Sequence, residues 1–451
     1  MTKTNPLETV PVPKLLLRLA LPSILAQVIS LLYSIVDRIY IGHIPDSGSQ
    51  ALSGIGVTVP IIMAINSFSN LIGMGGAPLA TIELGKKDSK RACQILWNCL
   101  EYTVVTAISL TILLLVLKRQ ILKFFGTSES IYKYANDYFT ICCLGSIFSM
   151  GTLVINMFLT TQGKNKQNMI IVIAGAVFNL IFDPIFIFAL HLGIKGAAIV
   201  TVISQAGTTI AGVVILNKKT SLLHIQPFPF ATDILKKVLA LGFASFFMTI
   251  TESLVSTIYN RQLLVYGSVE YIAVLSIIFS VGEMVMLPLN GIQQGAQPII
   301  SYTFGARNQK RLNQTILLTF ITMGLWNFIC TVLLELFAEP VFGIFTTDTY
   351  LISIGKVSLR IMILGRLFGG IQWAVQTIHR AVGEVKRTIL IAMVRKIILI
   401  IPLVYILPAI TNIGVNAVFM AEPIADFIAQ TFSVLIFVPF YKKRLSAIEI
   451  T

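Results

Sequence analysis

Two polar side chains lie four residues apart in an otherwise apolar stretch, residues 174–188. They are Asn179 and Asp183, and Pro184 follows directly. Positions i and i+4 share one helix face, so the amide and the carboxylate should project into the same space. A carboxylate in hydrocarbon is energetically costly unless it binds a proton, a cation or a hydrogen-bond donor. Pro184 has no N–H, so a carbonyl oxygen of the preceding turn loses its hydrogen-bond donor. The pattern predicts a proton or cation site, with interhelical hydrogen bonding as the alternative.

A second carboxylate, Asp37, lies near the end of the first apolar segment, which also contains Pro22. If Asp37 and Asp183 meet, the two groups would titrate as one coupled unit. The pair would then hold either one shared proton or a Na⁺ among carboxylate, amide and hydroxyl oxygens, and no other metal is expected. Pro22 is the point at which the first helix would bend. The alternative role for Asp37 is an ion pair with the neighbouring Arg38.

The composition indicates which class of protein must position these residues. Of the 451 residues, 55% are hydrophobic and 12% are charged, which is about half the charged fraction of soluble domains. Apolar segments of about 20 residues, long enough to cross roughly 30 Å of hydrocarbon, recur along the chain. The sequence therefore predicts an all-α, polytopic membrane protein. The five cysteines show no CxxC spacing and are expected to be core residues.

The apolar segments predict twelve transmembrane helices in two sets of six. The first set covers residues 14–40, 52–82, 92–117, 131–161, a segment around 174–188, and 196–216. The second set covers residues 233–265, 271–303, 312–337, 350–380, 387–408 and 414–440. We therefore predict an N-lobe over residues 1–219, a cytoplasmic linker over 220–232 and a C-lobe over 233–451.

Lysine and arginine concentrate in the loops on one side of the predicted membrane. They occur at 86–91, 164–166, 218–237, 307–311, 386–387 and 442–444, whereas the opposite loops at 43–51 and 338–349 contain none. The connector at 118–133 is an exception. By the positive-inside rule both termini are cytoplasmic. Topology explains the net charge of +14, so no nucleic-acid partner is expected. We expect a monomer in the lipid bilayer, without a cofactor.

The two sets of helices repeat at an offset of 220 residues. Matched pairs include Gly75 and Gly295, Pro78 and Pro298, Gly85 and Gly305, and Arg91 and Arg311. An offset of six helices preserves orientation, so the lobes should be parallel and related by a pseudo-two-fold axis along the membrane normal. Such lobes are typical of alternating-access transporters, and the chain has no ring-forming filter sequence of a channel. It also has no HExxH, GxSxG or Walker-type sequence, which argues against an enzyme.

Several motifs, in this order, resemble those of the multidrug and toxic compound extrusion (MATE) family along nearly the whole chain. They are VDRIYIG at 36–42, LGKKDSKR at 84–91, QGK at 162–164, NLIFDP at 179–184, FGARNQKR at 304–311 and HRAVGEVK at 379–386. The pattern is most similar to the MepA-like and DinF-like bacterial branches. The resemblance implies a secondary transporter of the cytoplasmic membrane that exports organic cations, driven by inward flow of H⁺ or Na⁺.

The resemblance also implies roles for single residues. In some members the N-lobe cation or proton site is formed by the positions that match Asp37, Asn179, Asp183 and Thr201. Pro22 matches the proline at which the first helix bends. Glu252 matches an acidic C-lobe position of the NorM-like branch. Gly369 stands where that branch has a second acid, which favours an ion site in the N-lobe.

A substrate cavity for flat, hydrophobic cations is predicted from side chains that offer charge attraction, stacking and cation–π contact. The candidates are Glu252, Tyr33, Met157, Phe178, Met248, Met284 and Gln293. Each is alternatively a packing or lipid-facing residue, and Glu252 is alternatively a partner of Arg360 or Arg366. Glu422 and Asp426, spaced i, i+4, would form either a second cation site or an ion pair with an arginine.

The alternative function is a flippase for a lipid-linked saccharide or another amphiphile. It would require basic residues well inside the lobes, and Arg360, Arg366 and Arg395 are the candidates. The acidic residues predicted for the N-lobe favour the antiporter.

Overall fold

The computed structural model describes residues 6–445 except Asp46, Gly126, Ser128, Lys219, Thr220 and Thr347. Lys219 and Thr220, where the predicted N-lobe ends and the linker begins, therefore lie outside the described residues. Over the described ranges the chain is α-helical with short 3₁₀ and π-helical turns, and it contains no strand. The predicted all-α fold class is confirmed.

The described residues of the first half of the chain form nine α-helices. In order they are α1 Pro6–Thr9, α2 Val12–Gly42, α3 Gly48–Gly85, α4 Ser89–Val116, α5 Lys118–Phe124, α6 Glu129–Leu144, α7 Ser146–Thr161, α8 Asn165–Pro184 and α9 Ile194–Leu216. A π-helical turn, Ile185–Ala189, continues α8. The first six predicted spans correspond to α2, α3, α4, the pair α6 and α7, α8 with its π-helical turn, and α9.

The described residues of the second half also form nine α-helices. They are α10 Thr232–Tyr266, α11 Val269–Gly305, α12 Gln309–Leu336, α13 Ala338–Phe345, α14 Thr349–Leu364, α15 Gly369–Ala381, α16 Val385–Met393, α17 Ile401–Ile410 and α18 Asn416–Phe440. The 3₁₀ turn Gly365–Phe368 joins α14 to α15, and the π-helical segment Val394–Ile400 joins α16 to α17. The π-helical segment Tyr441–Leu445 follows α18.

The helices have the length and apolarity of membrane spans. In the part of the chain that the structure describes, nine candidates meet these criteria, and the pair α6 and α7, bent by 54°, makes a tenth. The two remaining predicted spans fall on α10 and on the run of α14, the 3₁₀ turn and α15. All twelve predicted spans therefore lie on helical segments, as expected for a multi-pass membrane protein.

Contacts divide the chain into two compact units. The first comprises the described residues up to Thr9 together with Leu21–Phe246, and the second comprises Val10–Ala20 and the described residues from Phe247 onward. Each unit has its own apolar core: Phe139 is fully buried in the first, and Phe419 is fully buried in the second. The lobe boundaries predicted from the sequence remain a prediction.

Side chains hold the irregular segment after α9 against the first unit. Gln162, from the QGK motif, accepts hydrogen bonds from the backbone N–H groups of Leu222 at 2.8 Å and Leu223 at 3.1 Å. The Asn98 side-chain oxygen accepts one from the N–H of Ala231 at 2.7 Å. These bonds satisfy backbone donors in a segment that has no helix of its own.

Candidate functional site

The four residues predicted for the N-lobe ion site lie in the first unit, on three helices. Asp37 belongs to α2, Asn179 and Asp183 belong to α8, and Thr201 belongs to α9. The hydroxyl groups of Tyr33 and Thr201 are 3.3 Å apart, which permits a hydrogen bond in either direction. The carboxyl groups of Asp37 and Asp183 are close enough to interact electrostatically with each other and with Tyr33. The two predicted acids therefore lie within electrostatic range of each other.

Several oxygens of this group are buried without a hydrogen-bond donor. Asp183 is 1% exposed and Asn179 is 4% exposed. Within the described residues, neither carboxylate oxygen of Asp183 has a partner, and the same holds for Oδ1 of Asp37 and Oδ1 of Asn179. No described cation lies within 4 Å of the Asp37 carboxylate, so Asp37 and Arg38 form no close ion pair, although the charge of Arg38 acts on Asp37.

Such a set of oxygens is chemically incomplete. Buried polar atoms are nearly always hydrogen-bonded in native proteins, and an unpaired buried carboxylate is costly. A proton would supply one oxygen with a donor, and a monovalent cation would be coordinated by several oxygens at once. Among the described residues, this group included, no three His, Cys, Asp or Glu side chains cluster in the manner of a metal site.

The orientation of Asn179 follows from the close approach of α8 to α9. The Asn179 side-chain N–H donates to the Gly175 carbonyl at 2.8 Å, and Ser204 donates to the same carbonyl at 3.0 Å. A Cβ on Gly175 would lie 2.8 Å from a methyl carbon of Thr208, so the glycine allows the two helices to approach this closely. With its N–H group bound to the backbone, the amide directs its oxygen away as a free acceptor.

Pro184 ends the regular part of α8 directly after Asp183. The following turn, Ile185–Ala189, is π-helical, and the N–H of Leu190 bonds to the carbonyl of Ile185 at 2.8 Å. Single π-helical turns often occur at functional sites because they shift the register of side chains along a helix. The change from α to π geometry was not predicted from the sequence.

The remaining first-unit candidates occupy packed positions. The Phe178 ring stacks on Phe182 with 4.3 Å between centroids. The Met157 sulfur packs over Gly73, where an added Cβ would lie 2.3 Å away from it. Pro22 lies inside α2, which is helical from Val12 to Gly42. These contacts are compatible with the packing role that the sequence left open, and the predicted substrate and bending roles remain predictions.

The second unit contains a cavity of about 660 Å³ that charged, polar and apolar side chains line. Met248 and Glu252, both predicted for a substrate cavity, lie in its wall. The other two candidates of this unit lie outside the wall. Met284 is 53% exposed, and Gln293 is buried and accepts a hydrogen bond of 2.8 Å from Arg380. The volume is within the range of small-molecule sites, about 300–1,000 Å³.

Glu422 and Asp426 bind an arginine in this cavity. Arg395 Nη2 lies 2.7 Å from Glu422 Oε1, and Arg395 Nε lies 2.5 Å from Asp426 Oδ1. The other oxygen of Glu422 accepts a hydrogen bond of 3.1 Å from the Tyr259 hydroxyl. Of the two alternatives for this acidic pair, the structure supports the ion pair with an arginine.

Glu252 pairs with a lysine, and the predicted alternative of pairing with Arg360 or Arg366 is wrong. Lys396 Nζ lies 3.4 Å from Glu252 Oε2 and donates to the Met248 carbonyl at 3.0 Å. Arg360 instead lies 3.7 Å from Glu335. Sequence reasoning missed Lys396, although two adjacent cations, at 395 and 396, in an apolar span were a visible signal.

Comparison with known proteins places the chain in a family. The family model MatE matches residues 22–185 and 244–406, one match in each half of the chain. The multidrug export protein MepA of Staphylococcus haemolyticus is 24% identical over 424 residues, which cover 92% of this chain and 92% of that protein.

Solved structures share the fold over almost the whole chain. An outward-facing multidrug resistance MATE family transporter of the MOP superfamily has a TM-score of 0.88 at 20% identity, with 99% of each chain covered. A MOP superfamily transporter from Pyrococcus furiosus, described as having a binding pocket of reverse polarity, has a TM-score of 0.89 at 21% identity, with 100% of each chain covered. These likenesses show the twelve-helix, two-lobe fold. With the family match in both halves, they show that the chain belongs to the MatE family, the multidrug and toxic compound extrusion transporters, and not to a family of enzymes.

Proposed function

We propose that this protein is a secondary active antiporter that exports hydrophobic organic cations in exchange for H⁺ or Na⁺. One observation carries the proposal: Asp183 is 1% exposed, and neither of its oxygens has a hydrogen-bond partner among the described residues. A buried carboxylate without a hydrogen-bond partner is energetically costly in a membrane, so Asp183 is expected to bind a proton or a cation.

The coupling ion would bind at Asp37, Asn179, Asp183 and Thr201. A proton would be shared between the two carboxyl groups, which already interact electrostatically. A Na⁺ would also use the free amide oxygen of Asn179 and the hydroxyl of Thr201. Either ion neutralises the like charges of Asp37 and Asp183 and therefore favours the close approach of α2 to α8.

Bending of α2 would connect ion binding to substrate release. Pro22 has no N–H, so the helical hydrogen-bond ladder is interrupted there and a bend costs least. Ion and substrate would then act on one conformational equilibrium, and each would lower the affinity for the other by the same factor. Export results if ion binding stabilises the bent form of α2 and if the transporter with a bent α2 has a lower affinity for the substrate.

The expected substrates are small, flat organic cations. Support comes from the name of the relative in Staphylococcus haemolyticus, a multidrug export protein. The cavity of the second unit also offers acidic and aromatic side chains, among them Glu252, Phe279 and Trp373. The proposed location is the cytoplasmic membrane, with both termini cytoplasmic by the positive-inside rule. No cofactor is proposed, and the transporter would act as a monomer.

The proposal is tested by Asp183→Asn, which keeps the size of the side chain and removes its charge. Efflux of ethidium from cells that express the variant should fall to the level of cells without the transporter, because the site can no longer change charge. Asp137→Asn is the matched control, since Asp137 forms a salt bridge with Lys195 at 3.4 Å and is not part of the site. Export by Asp183→Asn at the parent's rate, with equal expression, would refute the proposed ion site.

The flippase alternative has less support. It needs several free basic side chains for a pyrophosphate, and the cavity of the second unit is lined by Arg366, Arg395 and Lys396. Arg395 and Lys396 are bound to acids of the same cavity. Among the described residues, Arg366 is therefore the one cation of this cavity without an acidic partner, and a single cation does not make a pyrophosphate site.

A further inference from the structure

The connector between the third and fourth predicted spans is basic, and the proposed export function makes no use of its charges. It lies on the side of the predicted membrane that is otherwise poor in lysine and arginine, so the positive-inside rule does not account for it. Over residues 117–134 its one acid is Glu129, and its cations are Lys118, Arg119, Lys123 and Lys133. The first three cations lie on the short helix α5, Lys118–Phe124.

These cations have no acidic partner within the described chain. Among the residues that the structure describes, none of the four forms an ion pair or a side-chain hydrogen bond. Arg119 and Lys123 are both exposed and are four residues apart, so they share one face of α5. Like charges at this spacing slightly destabilise a helix. An anion from outside the chain would offset that repulsion.

The apolar side chains of α5 and of the preceding helix place these cations beside the lipid. Leu122 is fully buried in the core of the first unit and anchors α5 there. Phe124, by contrast, is 85% exposed, and Val116 at the end of α4 is 72% exposed. Exposed apolar side chains at the end of a membrane span face the lipid, so the cations of α5 lie near the level of the headgroups.

The corresponding connector of the second half has the same kind of helix and the opposite charge. α13, Ala338–Phe345, lies at the offset of 220 residues from α5, and its Ile344, which matches Phe124, is 80% exposed. Residues 337–354 contain two acids and neither lysine nor arginine. The exposed apolar side chain therefore occurs in both connectors, whereas the cations occur only in the first. A helix at this position of the repeat does not need the cations to form.

We propose that α5 binds the headgroups of anionic phospholipids, with Arg119 and Lys123 on the phosphodiester and Phe124 among the acyl chains. Phosphate oxygens accept hydrogen bonds from both basic side chains, and an arginine binds a phosphate in bidentate geometry. A soluble polyanion would leave the Phe124 ring exposed to water, which favours a lipid as the partner. The orientation proposed above puts this surface at the outer leaflet. The inference goes beyond export, since it assigns a lipid partner and no step of transport.

A tryptophan placed between the two cations reports which lipid lies beside α5. Gln120 is exposed on α5, and Gln120→Trp supplies the reporter. The full-length protein is reconstituted into vesicles of phosphatidylglycerol and phosphatidylcholine in equal parts. One lipid at a time carries brominated acyl chains, which quench tryptophan at short range, and the signal of the protein without the reporter is subtracted. The ratio of the two quenching levels gives the preference for the anionic lipid.

The reporter protein should prefer phosphatidylglycerol by about tenfold or more, since each cation near an anionic membrane surface contributes about fivefold in affinity. In about 1 M salt the preference should fall, because screening shortens the range of the attraction. Adding Arg119→Gln and Lys123→Gln together should reduce the preference to less than about twofold. The matched control is Lys90→Gln with Lys310→Gln, which removes two exposed cations at other helix ends and should leave the preference unchanged.

Three results would overturn the assignment. They are equal quenching by the two lipids in the reporter protein, an undiminished preference without Arg119 and Lys123, and an equal loss of preference in the control. Glycerol 1-phosphate, the soluble part of the headgroup, is added at constant ionic strength. If it abolishes the preference, α5 binds free phosphate esters and the lipid assignment is wrong. Ethidium export is a separate readout, so none of these results bears on the proposed antiporter.

Discussion

The ion cluster around Arg395 gives a direct prediction about stability. Arg395 is 20% exposed at its side chain and contacts two carboxylates that are 8% and 4% exposed. Arg395→Gln would leave two buried acids without their cation, and breaking a buried ion pair in this way costs about 3–5 kcal/mol. The Tyr259 hydroxyl still donates to Glu422 in the variant, so we expect a loss in the free energy of unfolding of about 3 kcal/mol.

The assay is a denaturant titration of the purified protein, followed by tryptophan fluorescence. Trp373 lines the same cavity and should report the change. Combining Arg395→Gln with Glu422→Gln and Asp426→Asn removes the orphaned charges and should recover much of the loss, since neutral polar groups are less costly to bury. The prediction is refuted if Arg395→Gln is as stable as the parent or is no more destabilised than the triple variant. The three charged groups would then not form a buried cluster in which each charge is stabilised by the others.

Two smaller changes test local features of the fold. Glu339→Gln breaks an exposed pair in which Lys356 donates at 2.8 Å; it should slightly lower the midpoint of thermal unfolding at neutral pH. The hydrogen bond and charge of Lys356 lower the pKa of Glu339. This contribution is therefore present above the ordinary pKa of a glutamate and is lost as the pH falls through the lowered value, and a difference that grew on acidification would contradict the pairing. Gly175→Ala would place a Cβ 2.8 Å from Thr208, and the overpacking should cost about 1–3 kcal/mol in a denaturant titration. Gly207→Ala is its control, because a Cβ there meets nothing within 4 Å, and equal effects of the two glycine variants would contradict the packing argument.

The helical architecture and the grouping of the N-lobe acids could be predicted from the sequence. Apolar segments long enough to span a membrane must satisfy their backbone internally, so helices follow from composition alone. Asn179 and Asp183 share a face because their spacing is four. That Asp37 and Asp183 belong to one site was implied by the family resemblance, and the two carboxyl groups lie within electrostatic range of each other.

The partners of the C-lobe charges could not be predicted in this way. Whether Glu252 meets Arg366 or Lys396 depends on how α10 and the π-helical segment Val394–Ile400 are rotated about their axes. A shift from α to π geometry turns every later side chain by a large fraction of a helical turn. The spacing of residues in the sequence does not determine that rotation. Lys396 was therefore missed, and the alternative that pairs Glu252 with Arg360 or Arg366 was wrong.

The central claim is that an ion bound at the Asp37 and Asp183 group drives export. The most direct measurement is dye flux in proteoliposomes that contain the purified protein, under a pH gradient alone and under a Na⁺ gradient alone. We predict that one of the two gradients drives export of ethidium by the parent protein and by Asp137→Asn, and that neither drives export by Asp183→Asn. Gradient-driven export by Asp183→Asn at the parent's rate would contradict the account.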